Sequence, residues 1–244
     1  MKGVQTMPRR FITENYKINN NMIEIFDEAK HIQVTRNKIG DTIEINEYIC
    51  KIVSIDKSSI TCEIIGNAEK VGIPKTNITL YQALLKADKM EYVIQKSVEL
   101  GVSKIVPFIS KNVVVKVDEK DANKKVDRWN KIAIEAVKQC GRSDMVGVEN
   151  VEKFSEMLNS LLSFDRVILA YENEKEPLKR VLREINSNEK IAIVIGSEGG
   201  FDIKEVEDIL KNKNAVSVSL GERILRAETA SLYLLSILMY ELEG

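Results

Sequence analysis

Lys190-Ile191-Ala192-Ile193-Val194-Ile195, followed at once by Gly196-Ser197-Glu198-Gly199-Gly200-Phe201, decides how this chain is read. The first six residues are too short for a helix, and they are apolar on both faces. That is the pattern of a strand buried inside a parallel sheet. The glycine-rich stretch behind it reads as a tight strand-to-helix turn. Glycine also lets backbone approach a ligand closely there, and the residues alone leave both readings open.

The same alternation extends in both directions. Downstream, residues 202–211 are predicted as a helix, with Asp202 as its cap and Glu205 placed for a capping-box return. A strand at 215–220 and a final helix at 227–242 follow. That last helix is apolar nearly all round, so it is buried either in the core or in a subunit interface. Upstream, strands are predicted at 78–82, 104–109 and 166–171. Helices are predicted at 86–100, 122–140, 153–162 and 176–185, the first closed by Gly101. Strands alternating with helices argue an α/β fold, a parallel sheet covered on both faces.

Before about residue 75 the period changes. Short β-branched runs at 22–26, 42–46, 48–55 and 60–65 are separated by turn signals. They predict a small β-barrel or sandwich of about five or six strands, with a short helical turn at 31–36. The boundary falls in Gly72-Ile73-Pro74-Lys75-Thr76-Asn77, giving domains at 1–73 and 74–244.

Composition sets outer limits. The 244 residues carry 36 Lys+Arg against 37 Asp+Glu, a formal net charge of −1. This excludes a strongly basic nucleic-acid coat but not a local basic patch. Three cysteines, Cys50, Cys62 and Cys140, show no metal-ligand spacing and fit a reducing, cytoplasmic compartment. The N-terminal residues lack the apolar centre of a secretory signal, and no apolar stretch reaches membrane-spanning length. A single histidine, His31, makes a His-based zinc site or a Ser-His-Asp triad a poor expectation; no metal and no membrane are expected.

In open α/β sheets ligands bind outside the carboxyl ends of the strands. Three late loops take that position: Ala170-Tyr171-Glu172-Asn173, the glycine-rich loop after Ile195, and Leu220-Gly221-Glu222-Arg223-Ile224-Leu225-Arg226. Neither a G-x-x-x-x-G-K-[ST] nor a G-x-G-x-x-G spacing is present, which argues against a phosphate cradle and an ordinary dinucleotide fold.

At these residues the chain resembles a known family. Ile195 to Phe201 is similar to the GPEGG motif of the SPOUT class of RNA methyltransferases. Leu220-Gly221-Glu222-Arg223-Ile224-Leu225-Arg226-Ala227-Glu228-Thr229-Ala230 is similar to their LG-x-RILR-x-ETA motif. Gln95-Lys96-Ser97-Val98-Glu99-Leu100-Gly101-Val102, Arg128-Trp129 with Glu135-Ala136 and Gln139-Cys140-Gly141-Arg142, and Pro8-Arg9-Arg10-Phe11 extend the likeness from end to end. Together they resemble the RsmE family, the 16S ribosomal RNA uridine-N3 methyltransferases. Two residues depart from its pattern. Ser197 stands where proline is usual, which should loosen the turn. Lys111 stands where arginine is common, which keeps the charge but loses the bidentate fork.

The resemblance implies a SPOUT-type parallel-sheet domain with a C-terminal trefoil knot and a PUA-like RNA-binding barrel at 1–73. It implies S-adenosylmethionine as cofactor, 16S rRNA in the 30S subunit as substrate, and a homodimer. Its cofactor residues fall on Leu169, Tyr171, Ile195, Gly196, Ser197, Glu198, Gly199, Gly200, Leu220, Gly221, Ile224, Leu225, Arg226, Thr229 and Ala230. Glu198 is a candidate base or loop anchor, and Arg226 a candidate stabiliser of a uracil anion. Arg9, Arg10, Arg142 and Arg223 are the expected RNA contacts. Lys2, Lys17, Lys116, Lys124, Lys125, Lys131 and Lys138 add positive charge that is either a phosphate track or a solvated surface. Trp129 and His31 are expected to be structural.

Overall fold

Asn20 and Asn46 take positive φ, 53° and 52°, and each turns the chain back on itself between paired strands. Asparagine tolerates this left-handed region better than other residues with a Cβ. The computed structural model in which these turns are seen describes residues 9–26, 32, 37–114 and 119–243. Lys2, Pro8, His31 and Lys116 lie outside the described residues, as does the expected turn at 31–36 apart from Ile32. The chain divides into two compact units, Met1–Ile73 with Val137–Met145, and Pro74–Ala136 with Val146–Gly244.

The first unit holds β1 (Arg9–Phe11), β2 (Tyr16–Asn19), β3 (Met22–Ile25), β4 (Thr42–Ile45), β5 (Tyr48–Ile55) and β6 (Ile60–Asn67). They form one six-stranded sheet in the order β1-β4-β5-β6-β3-β2. Only the β1–β4 pair is parallel. Alternate residues of the strands point inward, so Ile23, Ile25, Ile43, Ile45, Ile52 and Ile60 make an aliphatic core. Cys50 and Cys62 are part of it; burial pushes both thiols up to about 12, so they stay neutral. The Asn46 side chain accepts from the Thr13 N–H and donates to the Thr13 carbonyl, which pins the β4–β5 turn.

The second unit contains, in chain order, β7 (Asn77–Ala83), α1 (Lys89–Glu99), β8 (Lys104–Ile109), α2 (Glu119–Cys140, whose end from Val137 belongs to the first unit), β9 (Gly147–Val148), β10 (Glu152–Lys153) and α3 (Phe154–Leu161). Then come β11 (Arg166–Ala170), α4 (Leu178–Leu182), β12 (Lys190–Ile195), α5 (Ile203–Leu210), β13 (Ala215–Val218) and α6 (Ala227–Glu243). The sheet runs β10-β8-β7-β12-β11-β13, with β9 also on β8, and every pairing is parallel. The α/β fold with a parallel sheet expected from the periodicity is therefore present. One face packs Tyr81, Val106, Phe108, Leu169 and Val194 against Met157 and Leu161 of α3 and Val206 and Ile209 of α5. On the other face α6 packs against β12 and against α1. Trp129 is 5% exposed and packs as the sequence reading expected.

Two local details depart from the periodicity. Helix α1 begins at Lys89, three residues later than expected, because Ala87 adopts a φ of 51° and the Lys86 N–H is drawn to the Glu198 carboxylate. At its other end Gly101, at a φ of 98°, closes the helix as predicted. A side chain there would also run into Met239 of α6. Pro107 sits inside β8. The Phe108 carbonyl serves β7 while the Ile105 carbonyl serves the opposite side, so Pro107 faces that opposite side with no N–H to give. The neighbouring strand is broken at that level: β9 pairs Lys104 and Ile105, and β10 resumes at Phe108.

Candidate functional site

β12 lies between β7 and β11, so the loop leaving its carboxyl end opens near the middle of the sheet. With the loops after β11 and β13 it encloses a cavity of about 570 Å³. That is the size range of a small-molecule or cofactor site. Tyr171, residues 195–200, Leu220, Gly221, Ile224, Leu225, Arg226 and Ala230 all line it, so three separate stretches of sequence meet in one place. Arg223, expected as an RNA contact, lines it as well. Two expected residues do not. Leu169 is fully buried on β11 among the core side chains, and Thr229 is exposed on α6 outside the cavity.

The loop after β12 is tied down at several points. The Ser197 hydroxyl accepts from the Gly199 N–H at 3.3 Å and its carbonyl accepts from the Gly200 N–H at 3.0 Å. Serine thus closes the turn by hydrogen bonding where proline would have stiffened it. Asn112 donates to the Gly199 carbonyl at 3.0 Å, and a Cβ on Gly199 would press into Asn112. Gly200 has a φ of 64°, and a Cβ there would meet the Glu172 carboxylate. The positive φ is what calls for glycine here; the Glu172 carboxylate ends a flexible side chain that can shift. Beyond the loop, Asp202 caps α5 and Glu205 returns to the Asp202 N–H, the capping box that the spacing predicted. The second Glu205 oxygen accepts from the Lys111 N–H, and the Lys111 ammonium pairs with Asp202. Lys111 is therefore engaged with the helix start.

Glu198 anchors the same loop to the start of α1. Its carboxylate accepts from the Lys86 N–H at 3.1 Å and lies 3.3 Å from the Lys89 ammonium. Burial pushes its pKa up, but the backbone N–H groups of Glu198 and Lys86 and the Lys89 charge outweigh this and hold it below the usual carboxylate range. A carboxylate stabilised in this way is a weak base. Lys89 also faces Glu228 at 3.6 Å, placing one ammonium between two carboxylates beside the cavity.

Of the arginines, Arg226 and Arg223 are exposed at the cavity and have no side-chain partner among the described residues. Two other expected RNA contacts are engaged. Arg10 donates to the Glu44 carboxylate at 2.6 Å and to the Glu69 carbonyl at 2.9 Å. Arg142 is 3% exposed, and its guanidinium forks onto Asp144 at 2.9 and 2.7 Å. Its charge is committed within the first unit. Arg9 is exposed on β1.

Sequence reasoning missed Lys89 and Asn112, single polar residues with no motif of their own, and named Glu172 only as part of the loop after β11. It also missed Gln82, for which a signal existed: a lone amide in the otherwise apolar strand Ile78-Thr79-Leu80-Tyr81-Gln82-Ala83. Among the described residues no cluster of metal-ligating side chains occurs, and no helix is long and apolar enough to cross a membrane.

Comparison with known proteins gives this arrangement its kin. A family model described as an RNA methyltransferase domain matches residues 73–239. The ribosomal RNA small subunit methyltransferase E of Bacillus subtilis is 35% identical over 228 residues, 89% of this chain and 89% of that protein. The protein of the same name from Mesomycoplasma hyopneumoniae is 33% identical, covering 84% of this chain and 88% of its own. Among solved structures, a ribosomal RNA small subunit methyltransferase E from Neisseria gonorrhoeae bound to S-adenosyl methionine superposes with a TM-score of 0.81. It is 27% identical over 96% of this chain and 98% of that one. A putative methyltransferase from Legionella pneumophila with bound SAM gives 0.80 at 26% identity and the same coverage. The chain belongs to the ribosomal RNA small subunit methyltransferase E family.

Proposed function

We propose that this protein transfers a methyl group from S-adenosylmethionine to N3 of a uridine in 16S rRNA, with the cavity at the ends of β11, β12 and β13 as the cofactor site. One observation carries the reading. Three loops that are distant in sequence, two of them matching motifs of the family, converge on a single glycine-walled cavity. The residues present fit the cofactor. Gly196, Gly199 and Gly200 line the cavity with backbone alone, and a Cβ on them would press into Phe201, Asn112 and Glu172 in turn. Leu220, Ile224 and Leu225 offer apolar surface for an adenine ring, with the backbone polar groups of the turns available to its edge.

When bound, the cofactor supplies a sulfonium methyl already activated as an electrophile, so the protein's work is positioning. Ser197, Asn112 and Glu198 fix this glycine lining. Glu198 acts through its hydrogen bonds to the loop and to Lys86 rather than as a base, as its lowered pKa indicates. Uracil N3 attacks only once its proton has passed to solvent water. Arg226, exposed and lining the cavity, is the group we assign to stabilise the resulting anion. Arg223 beside it and exposed Arg9 are assigned to phosphates; Arg10 and Arg142 support the first unit through their ion pairs.

The finer architecture belongs to the same proposal. The C-terminal stretch that forms the cavity is assigned a trefoil knot. The six-stranded unit is assigned as a PUA-like barrel that binds RNA. Tyr233 and Tyr240, 42% and 79% exposed on α6, support a homodimer contact along that helix. The substrate is placed in the 30S particle, in the cytoplasm. The test is methyl transfer from labelled S-adenosylmethionine to 30S subunits from cells lacking the enzyme, with nucleoside analysis. A 3-methyluridine product supports the reading. Another methylated nucleoside moves the target but keeps the class, and absence of cofactor binding overturns it.

A further inference from the structure

Gln82 is fully buried at the carboxyl end of β7, on the sheet face that packs against α6. A buried carboxamide must find partners for both its nitrogen and its oxygen. Here the Nε2 group donates to the Gly196 carbonyl at 3.2 Å and to the Ala83 carbonyl at 3.1 Å. The Oε1 atom accepts from the Ser231 hydroxyl of α6. The amide cannot be turned over, because that would set Oε1 against two carbonyl oxygens. Ser231 is itself fully buried, and its single proton is shared between Gln82 and the Ala227 carbonyl one helical turn back.

This chain of bonds runs from the first residue of the glycine-rich loop, through β7, to the first turns of α6. The two segments it joins both line the cavity: Gly196 belongs to one lining segment, Ala227 and Ala230 to the other. Neither segment bonds directly to the other along this path. We infer that Gln82 is a positioning residue that sets the spacing of the two segments, so that they accept the cofactor without rearrangement. Ser231 acts through Gln82 in the same role. Each buried hydrogen bond contributes modestly, but leaving its partners unpaired in a dry interior is costly. The inference rests on the methyltransferase reading for the identity of the ligand, though not for the geometry.

Gln82→Met keeps the volume of the side chain and removes both bonding functions; Ser231→Ala removes one. Calorimetric titration with S-adenosylmethionine should show affinity reduced about 10- to 30-fold in Gln82→Met and about 3- to 10-fold in Ser231→Ala. The double variant should be no weaker than Gln82→Met alone, since both act through one amide. Single-turnover methyl transfer at saturating cofactor should change less than about threefold, which separates positioning from chemistry. In the cofactor-free protein, hydrogen exchange at the Gly199 and Gly200 amides should speed up about tenfold, with the β7 and β12 amides unchanged. Affinity within about twofold of wild type in folded Gln82→Met, or additive losses in the double variant, would overturn the inference. Should Gln82→Met fail to fold, Ser231→Ala decides on the same readouts. Should the wild-type protein bind no cofactor, the methyltransferase reading fails, and the exchange measurement still decides the role of Gln82.

Discussion

The loops that follow β12 and β13 line one cavity and are held in opposite ways. The first is fastened by Ser197, Asn112, Gln82 and Glu198, each to a named backbone partner. The second is fastened at its two ends, where Ser219 and Gly221 exchange bonds and where the Arg226 carbonyl accepts from the Ala230 N–H. Among the described residues, 222–225 make no hydrogen bond at all. Ile224 is 87% exposed, an unusual place for an isoleucine. The contrast teaches a division of labour. A preorganised wall costs nothing to order when a ligand arrives, whereas a loose wall must be completed by whatever binds there. The loose wall carries Arg223 and Arg226, the groups assigned to the RNA.

The largest effect should come from the loose wall. Arg226→Ala should lower methyl transfer by about 100-fold or more while cofactor affinity stays within about threefold. Equal losses in both, measured by single-turnover kinetics and calorimetry, would mean that Arg226 serves the cofactor. Next comes the fixed wall: Gly200→Ala forces a side chain into the left-handed region and against Glu172. Cofactor binding should weaken about tenfold or more, at roughly 1–2 kcal/mol for the backbone conformation alone. Adding Glu172→Ala should restore part of the loss, and no recovery would put all of it in the backbone.

Smaller effects sharpen the contrast. Amide exchange in the ligand-free protein should be faster at 222–225 than at 197–201, and adding RNA substrate should slow only the former. Equal protection of both loops would dissolve the distinction. The smallest effect is expected from Glu198→Gln. Because the folded-state pKa of Glu198 lies below its unfolded value, its contribution is present above the unfolded pKa and lost as pH falls through the folded one. The variant should therefore be less stable than wild type near neutral pH, by under about 1 kcal/mol, and the gap should close in acid. A gap that persists at low pH, followed by thermal melting, would show that the charge is not what fastens the loop.

Much of this arrangement was legible in the residues. The period change from 2 to 3.6 marked the parallel sheet, and the apolar run 190–195 located its interior. Two glycine-bearing stretches, 195–201 and 220–230, pointed to one site because both follow strands of the same sheet. Less was readable where a residue's role depends on a distant partner. Leu169 lies one residue before cavity-lining Ala170, but strand alternation turns its side chain into the core instead. Arg142 matched a family position, yet Asp144 two residues on takes its charge. Gln82 and Ser231 are 149 positions apart, and no local pattern joins them. The strands β9 and β10, two residues each, are too short to leave a periodic trace.

The break opposite Pro107 has a consequence for the life of the protein in a crowded cell. A long, regular sheet border is a template onto which a strand from any other chain can add. Here the outermost rung is split into two two-residue pieces, and the strand beneath it lacks a donor between them. A stray strand would find no continuous row of partners. One imino acid thereby interrupts the row of donors on this flank, where a stray strand would otherwise add.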